Sequence, residues 1–73
     1  MNAVIWTKEN CGFCKAAKQL LDKKSIPFKE NFIGRTHTRE DLLAVVPDAK
    51  TVPQVFIDDK LIGGYTDLRD FLK

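Results

Sequence analysis

The stretch A-V-I-W-T-K-E-N-C-G-F-C, residues 3–14, decides the fold because its side-chain pattern changes from that of a strand to that of a helix. Residues 3–7 are rich in β-branched and aromatic side chains, which predicts a short buried strand. From Gly12 the apolar residues follow a helical period instead. Cys11 and Cys14, the only cysteines of this 73-residue chain, therefore lie at a strand-to-helix junction.

The segment after the junction predicts an amphipathic helix from Gly12 to about Lys24, ending before Pro27. One side carries the apolar residues, spaced at i, i+4, i+7 and i+8: Phe13, Ala17, Leu20 and Leu21. The opposite side, expected to face solvent, carries the polar residues Lys15, Lys18, Gln19 and Asp22.

A C-x-x-C sequence at such a junction is the arrangement of a dithiol redox centre. Cys11 would be the helix N-cap, where the amides of Phe13 and Cys14 can donate hydrogen bonds to its thiolate. Cys14 would lie about one turn on, within disulfide reach. The helix dipole stabilises a thiolate by only about 0.3–1 kcal/mol, so the amides and the nearby cations Lys8 and Lys15 are expected to contribute as well.

Two other uses of a cysteine pair are a structural disulfide and half of a metal site. A closed zinc site needs four ligands, and this chain offers its two cysteines and His37, which lies in a distant loop. The sequence therefore favours redox chemistry, or a metal cluster shared between two subunits.

The rest of the chain predicts three strands and two helices. The first is a strand over residues 28–33, followed by a helix capped at Thr38 with Leu42, Val45 and Val46 facing inward. A hairpin of strands 54–57 and 60–62 comes next. The last element is a helix from about Thr66, with Leu68, Phe71 and Leu72 facing inward. The order β-α-β-α-β-β-α predicts a parallel β-α-β unit, to which the hairpin adds antiparallel strands. We therefore expect an α/β fold, with a four-stranded mixed sheet flanked by three helices, in a single domain of residues 1–73.

Composition excludes several function classes. Twelve basic and ten acidic residues give a net charge of +2, too small to indicate nucleic-acid binding. No apolar run approaches the roughly 20 residues of a membrane span, and residues 3–6 are too few for a signal peptide. We expect a protein of the reducing cytosol, where a C-x-x-C pair is more often catalytic or metal-binding than a structural staple.

Two more segments have the composition of ligand-binding loops, and each also has a plain structural interpretation. Pro53 directly precedes the third strand, and two interpretations are open. It is an ordinary proline at the start of a strand, or the Val52-Pro53 bond is cis and turns the Val52 backbone outward as a peptide-binding edge. Gly63-Gly64 leaves amides at a helix N-terminus that suit a carboxylate, and Asp67 adds an acceptor for an ammonium group. The alternative there is a turn with Thr66 or Asp67 as the helix cap.

Together, the segments W-T-K-E-N-C-G-F-C, T-V-P-Q-V-F-I-D and I-G-G-Y-T-D-L closely resemble the glutaredoxin family, and the resemblance covers essentially the whole chain. It implies a thioredoxin fold, glutathione as ligand and reductant, Cys11 as the nucleophile and Cys14 as the resolving thiol. The implied glutathione-binding residues are Lys8 for the glycine carboxylate, Phe13 in the groove, Val52 for the peptide backbone, Thr51 and Pro53 at that edge, and Thr66 with Asp67 for the γ-glutamyl end.

The chain departs from the family pattern between its cysteines. Dithiol members usually have Pro-Tyr there, whereas Gly12-Phe13 is typical of the monothiol branch, which has serine at the second cysteine position and an inserted loop before the motif. Tyr65 also replaces a residue that is often cysteine in the family. The chain is therefore a hybrid of the two branches.

The resemblance implies a monomeric, cytoplasmic, glutathione-dependent oxidoreductase acting on disulfide-containing or glutathionylated proteins. Two alternatives stay open. One is a [2Fe–2S] cluster carrier, in which the Cys11 thiolates of two subunits and two glutathiones hold the cluster. The other is a dedicated hydrogen donor to ribonucleotide reductase, although the donors that thioredoxin reductase recycles have a different ending from I-G-G-Y-T-D-L.

Overall fold

Seven elements follow one another in the predicted order in the computed structural model, which describes all residues from Met1 to Lys73. Their bounds are β1 Ala3–Thr7, α1 Gly12–Lys23, β2 Phe28–Phe32, α2 Arg39–Val45, β3 Gln54–Ile57, β4 Lys60–Gly63 and α3 Tyr65–Phe71. No helix among them is both long enough and apolar enough to cross a bilayer.

The four strands form one mixed sheet in the order β2-β1-β3-β4. β1 pairs in parallel with β2, its partner across the α1 crossover, and antiparallel with β3, which in turn pairs antiparallel with β4. β1 is therefore an inner strand, and the loop that carries the cysteines leaves from its carboxyl end, beside the start of β3.

Helices cover both faces of the sheet because the side chains of β1 alternate between the faces. Ala3 and Ile5 lie in a core with residues of α1 and α3, whereas Trp6 packs with Leu42 and Val46 at α2. The larger core consists of Ala3, Ile5, Ala17, Leu21, Ile26, Val55, Ile57 and Leu68. The predicted arrangement, a four-stranded mixed sheet flanked by three helices, is confirmed.

The local signals that delimit α2 and the hairpin act as expected. The Thr38 side chain accepts a hydrogen bond from the Asp41 amide, and the Asp41 carboxylate accepts one from the Thr38 amide, which completes a capping box. Asp58 and Asp59 both have positive φ, of 49° and 68°, as a tight turn between twisted strands requires.

Three side chains predicted to face inward are exposed instead: Phe13 (66% exposed), Val45 (53%) and Phe71 (46%). The buried residues at α2 are Leu42 and, at its C-cap, Val46, which are four positions apart and therefore in line along the helix. At α3, Leu68 and the C-cap residue Leu72 likewise contact the core. Each of these short helices, with its C-cap, buries a narrow i, i+4 stripe, so a residue one position off that stripe lies outside the contact.

The predicted bounds also differ slightly from those observed. The second strand ends at Phe32 rather than Ile33, the first helix ends at Lys23, and the last helix begins at Tyr65 rather than Thr66. β4 extends to Gly63, and its register against β3 shifts by one residue between the pairs Phe56–Leu61 and Val55–Gly63. Each bound differs by one residue, at the end of a strand or helix, where a residue can join the strand pairing or helix or instead belong to the adjacent turn or cap.

Candidate active site

Cys11 lies between β1 and α1 and is the N-cap residue of α1, in an extended conformation. The preceding Asn10 has φ of 57°, which turns the chain from the strand into the helix. Cys14 lies in the first turn and is 2% exposed, whereas Cys11 is partly exposed. The two cysteines form a disulfide, with 5.2 Å between their Cα atoms.

The Cys11 sulfur accepts a hydrogen bond from the amide of Cys14, with 3.1 Å between nitrogen and sulfur. The first amides of a helix have no partner within it, and this one is used on the sulfur. The amide of Phe13, also predicted as a donor, makes no such bond. Lys8 and Lys15 are both exposed, so their attraction for a thiolate acts through solvent.

The Val52-Pro53 peptide bond is cis, as the sharper of the two sequence interpretations predicted. Pro53 is buried, and the segment is tied down where the side-chain amide of Gln54 donates to the carbonyl of Thr51 at 2.9 Å. The carbonyl oxygen of Val52 lies 3.7 Å from the Cys11 sulfur. The Val52 backbone is therefore adjacent to the more exposed of the two cysteine sulfurs.

The double glycine brings the start of α3 to the same side of the site. Gly64 is the N-cap residue, and its amide donates to the Asp67 carboxylate at 3.2 Å, so neither Thr66 nor Asp67 is the cap. Gly63 has φ of 122°, a conformation that side-chain-bearing residues rarely adopt. The ring of Tyr65 stacks on Phe13, with 6.0 Å between centroids, which links α3 to the C-x-x-C segment.

One groove brings together most of the predicted ligand-binding residues. It is lined by Phe13, Thr51, Val52, Pro53, Gln54, Gly63, Gly64, Tyr65, Thr66 and Asp67. Lys8 lies apart from this groove, in an adjoining pocket that shares Thr51 and Val52 with it.

Sequence reasoning assigned no site role to several residues of these pockets, among them the polar residues Gln54, Arg39 and Lys50. Lys50 directly precedes the T-V-P segment, so its position next to a recognised motif was an available signal. Arg39 begins α2, far from Lys8 in sequence, and only the packing of α2 on the sheet brings the two to one pocket.

A polar network lies on the α1 side of the sheet. The Glu30 carboxylate on β2 accepts a hydrogen bond from the Thr7 hydroxyl at 2.6 Å. The same carboxylate forms an ion pair with the Lys18 ammonium group, with 2.9 Å between nitrogen and oxygen. The hydrogen bond from Thr7, more than the Lys18 ammonium, holds the pKa of Glu30 below its ordinary value, against the opposing effect of partial burial. Lys18, predicted to face solvent, is thus half-buried and bonded to the sheet.

The candidate site therefore combines an N-cap cysteine, a buried partner cysteine, a cis-proline edge and an aspartate at a helix start. A comparison with known families agrees with this geometry: the family model for glutaredoxin matches residues 3–62. This chain belongs to the glutaredoxin family. Membership supports thiol–disulfide oxidoreductase activity, and the Cys11–Cys14 disulfide is consistent with it.

Individual relatives match most of the chain. Glutaredoxin 3 of Escherichia coli K12 is 40% identical over 67 residues, covering 92% of this chain and 81% of its own length. Hybrid peroxiredoxin hyPrx5 of Haemophilus influenzae is 46% identical over 67 residues, but the chain spans only 27% of that protein.

Solved glutaredoxins share the fold. Glutaredoxin 1 from Francisella tularensis, in complex with cacodylate, matches with a TM-score of 0.83 and 32% identity, over 97% of this chain and 91% of that one. A buckwheat glutaredoxin–glutathione complex matches with a TM-score of 0.77 and 29% identity, over 93% and 64% of the two chains. The glutaredoxin form of the thioredoxin fold, expected from the sequence, is thus confirmed.

Proposed function

We propose that this glutaredoxin depends on glutathione and reduces both protein disulfides and glutathione mixed disulfides. The groove beside Cys11 carries the proposal, because it collects all the implied glutathione-binding residues except Lys8. Its volume of ≈ 470 Å³ lies within the range of about 300–1,000 Å³ that small-molecule sites occupy. The buckwheat relative solved with glutathione supports the same ligand.

The charges around the groove match a peptide that carries both an ammonium group and carboxylates. At one end, Asp67 uses Oδ2 to accept from Gly64, and its other oxygen has no protein partner. At the other end, Lys8 lines a pocket with Arg39 and Lys50, none of which forms an ion pair. We assign the γ-glutamyl ammonium group to Asp67 and the glycine carboxylate to Lys8.

The chemistry we assign to the two cysteines follows from their unequal exposure. The Cys11 thiolate attacks a disulfide sulfur, forms a mixed disulfide and releases the partner thiol as a thiolate. Cys14 then attacks Cys11 and displaces the thiol bound there, from glutathione or from the protein, as a thiolate, giving the Cys11–Cys14 disulfide. Alternatively, a second glutathione thiolate attacks the bound glutathione sulfur, giving glutathione disulfide and restoring Cys11. Cys14 is buried while Cys11 accepts a helix amide, which supports this order of attack.

Single cysteine variants test these roles. Cys11→Ser should abolish all disulfide reduction, since it removes the partly exposed sulfur. Cys14→Ser should keep substantial activity on a glutathionylated peptide, which needs one thiol, and lose direct reduction of protein disulfides. Both rates are measured with glutathione and glutathione reductase. An equal loss in both variants on the glutathionylated peptide would contradict the assignment.

Charge variants test the ligand assignment. Lys8→Ala and Asp67→Ala should each raise the KM for glutathione a few-fold, because exposed charges contribute about 0.2–1 kcal/mol each. Lys23→Ala, an exposed lysine at the far end of α1, is the matched control and should leave KM unchanged. Circular dichroism checks that each variant is folded. An unchanged KM in both site variants would rule out these two contacts.

We also propose that the chain acts as a cytoplasmic monomer on disulfide-containing or glutathionylated proteins, with ribonucleotide reductase as one candidate target. All four strands belong to one sheet, and the three helices lie along the same chain with no separate sheet, which supports a single domain of residues 1–73. The reductant is tested by recycling the oxidised protein with glutathione plus glutathione reductase, or with thioredoxin reductase alone. Recycling by thioredoxin reductase alone would overturn the glutathione dependence.

A [2Fe–2S] cluster shared by two chains is a second candidate function, supported by the open space at Gly12. Apart from its chain neighbours and the backbone of its own helix, no atom lies within 4 Å of where a Cβ of Gly12 would be, and Cys11 beside it is partly exposed. The chain brings together no group of three or more ligating side chains. Cys11 would therefore supply one ligand, and a second chain and glutathione thiols the others, with the cluster contributing iron–thiolate bonding.

Anaerobic reconstitution with iron, sulfide and glutathione tests this candidate. A brown dimer should form, Cys14→Ser should make it more persistent in air, and Gly12→Pro should reduce it, because proline removes an amide beside the Cys11 sulfur. A colourless monomer from both wild type and Cys14→Ser would reject the cluster function and leave the oxidoreductase function standing.

A further inference from the structure

Lys18 and Glu30 form the half-buried ion pair of the molecule, and Lys18 lies about one helical turn after Cys14, the proposed resolving cysteine. Lys18 follows Cys14 by four residues on α1, so the two side chains leave the helix on the same side, with about 5–6 Å between their Cβ atoms. We propose that this ion pair sets the reactivity of Cys14, with Lys18 favouring and Glu30 opposing the Cys14 thiolate in the resolving step.

The geometry fixes both charges where they act. The Lys18 ammonium group is held at 2.9 Å by the Glu30 carboxylate, and both side chains are only 30% exposed. Glu30 is fixed in turn by the hydroxyl of Thr7, which is 1% exposed at the end of β1. Because Cys14 is 2% exposed, a charge that develops on its sulfur is poorly screened by water.

Glu30 carries a full negative charge at neutral pH, since the bonds from Thr7 and Lys18 lower the pKa of this carboxyl. The ion pair is therefore neutral as a whole, and Cys14 experiences two opposing fields. The other charged groups around the start of α1 are Lys8, Glu9, Lys15 and, on α3, Asp67, and all four are exposed. Solvent screens these four more strongly than it screens the half-buried pair.

The step concerned is the second one proposed for the redox pair, and the inference rests on that order of attack. Cys14 loses its proton to solvent, and its sulfur forms a bond to Cys11. The bond between Cys11 and the bound thiol breaks, and the bound thiol leaves as a thiolate with the electron pair. Cys14 is oxidised and the leaving sulfur is reduced, so the step needs no further oxidant. A buried thiol ionises with difficulty, which makes its thiolate fraction limiting.

Opposite charge changes should therefore move the rate of this step in opposite directions. Lys18→Gln leaves Glu30 uncompensated and lowers the thiolate fraction, whereas Glu30→Gln leaves Lys18 uncompensated and raises it. Glutamine can still hydrogen-bond at either position. A tenfold change in thiolate fraction changes the rate only about threefold, because nucleophilicity falls as a thiol becomes more acidic. We expect a slowing of about threefold for Lys18→Gln and a comparable gain for Glu30→Gln.

The reduced protein is mixed in a stopped-flow instrument with 5,5′-dithiobis(2-nitrobenzoate), which releases one coloured thiolate when Cys11 is attacked and a second when Cys14 resolves the adduct. Only the second phase should change in the two variants, and their double variant should return to nearly the wild-type rate. Lys23→Gln, the exposed lysine at the end of α1, is the control and should leave both phases unchanged.

A merely structural role of the ion pair predicts a different pattern. Both single variants would then shift the second phase in the same direction, and the double variant would be no faster than the slower of them. Either result overturns the proposal, as does an equal change in the first phase. Because the probe contains no glutathione, loss of glutathione dependence leaves this test intact. Failure of Cys14→Ser to hold a stable adduct instead refutes the order of attack.

Discussion

Replacing Gly63 by alanine should disrupt both the stability of the fold and the glutathione end of the groove. Gly63 has φ of 122°, and a Cβ built on it would lie less than 3.0 Å from the carboxylate of Asp67. That carboxylate accepts the hydrogen bond from the Gly64 amide at the start of α3. Alanine at position 63 would therefore have two effects: it would adopt an unfavourable backbone conformation, and its Cβ would displace the Asp67 carboxylate.

The magnitude follows from these two effects. A side-chain-bearing residue in such a conformation costs about 1–3 kcal/mol, and losing the Gly64–Asp67 hydrogen bond costs about 0.5–1.5 kcal/mol. A loss of about 2–4 kcal/mol is large against the roughly 4–11 kcal/mol expected for 73 residues. At about 4–8 °C per kcal/mol for a domain of this size, Tm should fall by at least about 8 °C.

Gly12→Ala is the matched control, since a Cβ there would meet no atom within 4 Å beyond its own helix and chain neighbours, and its φ is not positive. Its stability should change by no more than about 1 kcal/mol, and in the favourable direction, because alanine is the better helix former. Thermal unfolding of the oxidised proteins gives Tm, and the KM for glutathione reports on Asp67. A Gly63→Ala protein that melts within a few degrees of wild type with an unchanged KM would refute the reasoning.

Three further results are expected. The folded-state pKa of Glu30 lies below its ordinary value of 4.5. The ionised Glu30 carboxylate therefore stabilises the fold above that value, and this stabilisation is lost as the pH falls through the lowered pKa. Glu30→Gln should be less stable than wild type at pH 7, and the difference in urea midpoint between the two proteins should shrink at pH 3. Leu68→Ala should lose about 2–5 kcal/mol by leaving a cavity at a fully buried position, while Phe71→Ala, at a half-exposed one, should lose much less in the same denaturation assay. The rate of Cys11 alkylation by iodoacetamide should have a pH midpoint well below the ~8.5 of a free thiol, and a midpoint at that reference would show that neither the Cys14 amide nor the cations activate the sulfur.

The order of the elements was predictable because each one is set by short-range chemistry. The apolar run of residues 3–7 can bury only as an inner strand, and the spacing of Ala17 and Leu21 leaves only a helix to cover it. Thr38 and Asp41 fix the start of α2 through their own side chains. Each of these features depends on residues that are close in sequence, so it can be inferred without knowing how the strands pair in the sheet.

What could not be predicted depends on contacts across the sheet. Lys18 lies on the polar side of the predicted helix, yet its ammonium group forms an ion pair with Glu30 on β2 and so packs against the sheet. Phe13 follows the apolar side, yet it lies outside the core and stacks on Tyr65 of α3. Periodicity alone assigns residues to a helix face, whereas the width and edges of that face are set by elements distant in the chain.

The site separates reactivity from recognition, and the fold explains why. The start of α1 supplies the amide of Cys14 to the Cys11 sulfur whatever disulfide is bound, because that amide is left without a helix partner at the N-terminus. The recognition that we propose comes instead from Val52 before β3 and from Gly64 and Asp67 at the start of α3, which the pairing of β3 with β4 brings to the same end of the sheet. Changes in the second group should therefore alter KM with little effect on the chemical step. Changes near Cys14 should alter the chemical step with little effect on binding.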